Sequence, residues 1–107
     1  MCHCLACQKR TGSIFGAQAR FPASAVRVEG AANEWSRVGD EGTRATFRFC
    51  ATCGAHVYWT NETIPDTIAV PIGAFADPTF PPPTIAVYTS RRHPWAVMPG
   101  LVTEEWE

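Results

Sequence analysis

Five thiols in two tight clusters restrict this chain more than any other feature. Cys2, Cys4 and Cys7 lie in Met-Cys-His-Cys-Leu-Ala-Cys, and Cys50 and Cys53 in Cys-Ala-Thr-Cys-Gly. A C-x-x-C step reverses the chain so that two sulfurs can meet on one metal, a following glycine eases the turn, and zinc is the ion that most often fills it. The spacing admits three arrangements. One zinc closed by Cys4, Cys7, Cys50 and Cys53 would leave Cys2 over. Alternatively, Cys2, Cys4 and Cys7 hold zinc by themselves with a fourth position open, the ligand count of a catalytic site. The third, a redox dithiol, belongs with a βαβ unit that nothing around either knuckle suggests. Cys2 favours the divided arrangement, because three thiolates within six residues exceed what a closed four-ligand site draws from one side. Spacing goes no further.

At 107 residues the chain is long enough for one domain, expected to span 1–107, with a modest core. Nine prolines and eight glycines point to many turns and short strands. Nine basic against ten acidic side chains, with no basic run, make a poor field for nucleic acid or an anionic membrane. No apolar stretch reaches the roughly 18 residues of a membrane span, and the first residues carry no leader pattern. An odd number of clustered cysteines suits reduced metal ligands in the cytoplasm better than a secreted disulfide framework.

Along the chain, Gln8–Ser13 reads as one helical turn or a loop. Alternation predicts strands over Phe15–Phe21, Val26–Gly30, Glu34–Val38, Thr43–Phe49, His56–Thr60, Asp66–Ile72 and Thr84–Tyr88. Pro22–Ala25 and Gly39–Gly42 read as turns. Strand, knuckle, strand around Cys50–Cys53 is how a zinc ribbon is built. Pro71 predicts an edge or a bulge. Pro78–Pro83 is a surface excursion, Ser90–Trp95 a polar and aromatic loop, and the acidic tail to Glu107 is expected to be loosely held. The fold class is mainly β, from short antiparallel strands.

Several motifs in order carry a family resemblance. They are Cys-His-Cys-x-x-Cys with Lys9-Arg10-Thr11-Gly12 and a Phe-Ala-rich strand; Phe49-Cys50-x-x-Cys53-Gly54; Asp66-x-Ile68-Ala69-Val70-Pro71 with Gly73; and Ser90-Arg91-x-x-Pro94-Trp95. Over about residues 2–98 the set resembles the glutathione-dependent formaldehyde-activating enzyme family, of S-(hydroxymethyl)glutathione synthase type. The resemblance implies a β-tent of small twisted sheets, one or two zinc ions, and carbon–sulfur lyase-type chemistry joining glutathione to formaldehyde. By motif, Cys2, Cys4 and Cys7 match the catalytic zinc ligands, and Cys50 and Cys53 match half of a structural site. Family members carry a further C-x-C strand before the first motif. This chain starts at that motif, so it is expected to be truncated relative to the family, with the second site short of two ligands.

Zinc on three thiolates would accept the thiol of glutathione, or another small thiol, and deprotonate it for attack on the aldehyde. Lys9, Arg10, Arg91, Arg92 and His93 are candidate cations for the thiolate-rich site and for the substrate's carboxylates. Thr11 and Ser13 are candidate donors to substrate or turn caps, and Trp95 is the tryptophan expected nearest a site. His3 is expected to point away from the metal, and His56 follows the second knuckle closely enough to replace a missing ligand. No second general base is evident. The rival reading is a non-catalytic zinc-ribbon module that binds a protein partner or carries glutathione.

Overall fold

The computed structural model describes residues 1–107, which divide into two compact units: residues 19–76, and residues 1–18 with 77–107. In the first, period-two alternation dictates a sheet. Its strands are β1 (Gln18–Pro22), β2 (Ala32–Val38), β3 (Arg44–Cys50), β4 (His56–Asn61) and β5 (Thr67–Pro71), in the order β1-β5-β4-β3-β2. From β2 to β5 each strand pairs antiparallel with the next. Register sets Trp35 opposite Phe47, Phe47 opposite Trp59, and Trp59 opposite Ala69. One row of side chains therefore crosses four strands on a single face.

That row is the core of this unit. Phe47 lies between the Trp35 and Trp59 rings, with centroids 5.6 and 5.3 Å away. The Arg20 guanidinium lies over the Trp59 ring at 4.9 Å. Ala45, Phe47, Trp59 and Ala69 are buried, and Phe49 packs against them. Trp35, on the edge strand, stays half exposed. The register between β3 and β4 shifts after Arg48, where Val57 is the extra residue of a bulge. Beyond it the His56 ring stacks on Phe49 at 4.9 Å.

Several expectations are corrected here. Val26–Gly30 carries no strand: Val28 is exposed, and Arg27 and Glu29 pair at the surface, so two valines bury too little to recruit a partner. Phe15 lies outside β1, which begins at Gln18. Pro71 marks neither an edge strand nor a bulge. β5 is internal to the sheet, and Pro71 is tolerated as its last residue, where the chain enters a 3-10 turn at Ile72–Phe75.

In the second unit, Gln8–Thr11 belongs to a helix, α1 (Leu5–Thr11). β6 (Ile85–Val87) pairs with β7 (Glu104–Trp106), and this pair is parallel. The acidic tail is therefore held rather than loose. Thr84 O accepts from the N–H groups of Thr103 and Glu104, Arg92 pairs with Glu105 at 2.6 Å, and Ser90 donates to Glu107. A charge-paired strand can stay ordered with every side chain exposed, which hydropathy does not register. No helix in the molecule is long and apolar enough to cross a membrane.

Candidate metal centre

Cys2 is positioned by backbone pairing on both sides. Its N–H donates to Gly16 O at 2.7 Å and its carbonyl accepts from Gly16 N at 2.9 Å. Flanking it, Val87 N donates to Met1 O and His3 N donates to Val87 O. Cys4 and Cys7 are positioned by the helix. Cys4 is the N-cap of α1, and its sulfur accepts the Cys7 N–H at 3.3 Å, as a capping side chain does. Two cysteines three residues apart across a helix start thus present their sulfurs on one side. Gly12 ends the helix in the left-handed region at φ 68°, its N–H donating to Gln8 O.

The result is a group in which the sulfurs of Cys2, Cys4 and Cys7 all lie within 4.8 Å of one another. Zinc–sulfur bonds of about 2.3 Å in a tetrahedron set sulfur–sulfur separations of about 3.8 Å. The donor set therefore fits zinc with small adjustments. Its electrostatics agree. The Cys2 thiol is pushed well above its ordinary pKa by hydrogen bonding to Cys4 and Cys7, with burial adding to the effect. At Cys7 the hydrogen bond from Cys2 favours the thiolate, yet Cys4 and burial outweigh it and leave the pKa raised. Sulfurs this close cannot all ionise without a cation among them. Arg10 supplies part of one, its Nη2 lying 3.6 Å from Cys7 Sγ.

His3 is 1% exposed, edge-on to Phe15, and neither ring nitrogen has a hydrogen-bond partner. Burial, then the charge of Arg92, lowers its pKa, so the ring stays neutral. Thr11 spends its hydroxyl on the Cys7 carbonyl at 2.8 Å, and Ser13 donates its N–H to that hydroxyl. Lys9 and Arg91 are exposed, whereas Arg92 is engaged by Glu105. Trp95 is 68% exposed and meets the His93 ring edge-on at 5.7 Å. A cleft of about 200 Å³ lined by Met1, Arg92, Met98 and Glu105 among others has no cysteine in its wall.

Cys50 and Cys53 lie in the other unit, on the turn between β3 and β4. Gly54, at φ 75°, closes that turn with its N–H on Cys50 O at 2.9 Å. The N–H groups of Cys53 and then Thr52 lower the Cys50 pKa. Within this unit no third His, Cys, Asp or Glu joins the two sulfurs. His56, expected as a replacement ligand, does not join the two sulfurs in one group; its ring stacks on Phe49 and tilts against Phe47.

Sequence reasoning missed Gln8. Its Nε2 donates to His3 O at 2.8 Å and to Arg91 O at 3.1 Å, and its Oε1 lies 2.9 Å from His93 Nε2. A glutamine one residue past the third cysteine is the only trace of this in the sequence.

No curated protein matches the chain. A model of the glutathione-dependent formaldehyde-activating enzymes matches residues 1–91, from the first cysteine cluster through the second to the start of the Arg-Arg-His loop. The three gathered sulfurs and the five-stranded sheet lie within that span, and the chain belongs to the glutathione-dependent formaldehyde-activating enzyme family.

Proposed function

We propose that the chain is a zinc-dependent carbon–sulfur lyase-type enzyme. It would act on the adduct of glutathione, or another small thiol, with formaldehyde or a related aldehyde. The observation that carries this is the gathering of three sulfurs, not four, within one unit. Three protein ligands leave a metal position for an exchangeable one. When bound, zinc supplies a Lewis acid that brings a thiol below its usual pKa of about 8.5.

The chain's own residues do the rest. Cys2, Cys4 and Cys7 hold the ion. Three thiolates outweigh a divalent cation by one charge, and an incoming thiolate would add another, so cations nearby must offset the excess. Arg10, against Cys7, serves that end. Lys9 and Arg91, both exposed, would be the cations for the substrate's carboxylates, while Arg92 would have to leave Glu105 first. Trp95 flanks that loop as an exposed wall. Cys50 and Cys53 would hold a second zinc only with ligands from outside their unit. Five free thiols suit the reducing cytoplasm.

The test is zinc per chain and turnover of the thiol–aldehyde adduct, for wild type and Cys2→Ser. Loss of both with the substitution supports the reading. Zinc and turnover left intact by Cys2→Ser would end it, and so would calorimetry showing no glutathione binding at millimolar concentration.

A further inference from the structure

The geometry points to His93 as the group that carries the proton in this reaction, with Gln8 as the residue that positions it. This rests on the reading above and adds to it the general base that the sequence did not reveal.

The Gln8 amide settles which atom of His93 holds a proton. Both N–H bonds of Nε2 are taken by carbonyl oxygens, His3 O at 2.8 Å and Arg91 O at 3.1 Å. Turning the amide over would set Oε1 against two carbonyl oxygens and lose both bonds. Oε1 is therefore the acceptor facing His93 Nε2 at 2.9 Å, and that nitrogen must donate. A neutral imidazole with its proton on Nε2 has its lone pair on Nδ1, ready to accept. The anchor is the thiolate cluster itself: His3 lies between Cys2 and Cys4, and Gln8 follows Cys7 in α1. One side-chain amide thus separates the His93 ring from the His3–Cys4 peptide. The ring is half-buried, beside the exposed Trp95.

The step balances without a redox partner. Nδ1 takes the proton that the thiol gives up as it binds, and the thiolate sulfur then attacks the aldehyde carbon. A sulfur–carbon bond forms, the carbonyl π pair moves onto oxygen, and the Nδ1 proton passes to that oxygen as the hydroxyl of the adduct. In the reverse direction Nδ1 takes the hydroxyl proton, the sulfur–carbon bond breaks, and the proton returns to sulfur.

His93→Gln separates base from scaffold, because a glutamine amide still donates to Gln8 Oε1 but offers no titratable acceptor. The expected result is a kcat lower by about 10²-fold or more, with KM, zinc content and melting temperature unchanged. Gln8→Leu should also lower kcat at constant zinc content. Ring-nitrogen NMR of wild type at pH 8 should show a protonated Nε2 and an unprotonated Nδ1. In Gln8→Leu the Nε2 proton should lose its protection from exchange. Full kcat in His93→Gln, or a proton found on Nδ1, would overturn the inference and leave the lyase reading standing. A wild-type chain with no turnover would overturn both.

Discussion

A metal bound by Cys2, Cys4 and Cys7 would have to compete with protons for the same sulfurs, and the structure sets the terms. Consider the chain reduced to its first cluster by Cys50→Ser and Cys53→Ser. Without metal, Cys2 and Cys7 both have pKa values raised above the ordinary thiol range, by neighbouring thiols and by burial. Both are therefore protonated between pH 6 and pH 8, yet both must be thiolates to bind zinc. Binding then expels at least two protons, so affinity should rise by at least about a hundredfold per pH unit, or about 2.7 kcal/mol or more. Acid pulls the metal off; alkali strengthens its hold. Cys2→Ser, whose remaining affinity should be far weaker, removes one of those protons and should make the slope shallower by about tenfold per unit. Competition against a chromophoric chelator at several pH values, corrected for the chelator's own protonation, measures the slope directly. A flat profile, or a slope unchanged by Cys2→Ser, would refute the reasoning, since it would mean that these sulfurs are ionised before the ion arrives.

Phe47→Ala should cost about 3–5 kcal/mol, measured by denaturant unfolding, because the ring is 3% exposed and stacked between two tryptophans. Gly12→Ala should cost about 1–2 kcal/mol by thermal unfolding, and the cause is conformational: φ is +68° and nothing lies within 4 Å of the added carbon. The tail should detach in acid. Ser90 holds the Glu107 carboxyl, and Arg92 the Glu105 carboxyl, below the usual range. Their contribution is complete above the ordinary carboxylate pKa of about 4.3 and is lost as pH falls through the depressed values. Amide exchange at Thr103 and Glu104 should accelerate there, and an unchanged rate would count against the tail contacts.

The parts legible in the sequence are those whose geometry is local. A C-x-x-C step places Cys4 and Cys7 on one side of a helix start whatever surrounds it, and alternation places Phe47, Phe49 and Trp59 on strands. The misreadings share one cause. Val26–Gly30 alternates, but a strand needs a partner, and whether one is available is not written in the segment. The tail is charged and looks soluble, yet Arg92 and Ser90 wait for its carboxylates at a distance no local pattern reports.

From its sequence alone this protein is determined to be a cysteine-knuckle β protein of the glutathione-dependent formaldehyde-activating family, because ligand spacing and side-chain period are properties of a few consecutive residues. Tertiary structure decided which sulfurs meet and what stands beside them. Cys2 joins Cys4 and Cys7 only because its backbone is pinned to Gly16 and Val87. His93 meets Gln8 across 85 residues of chain, a contact that long-range strand pairing and burial bring about and that no short stretch encodes.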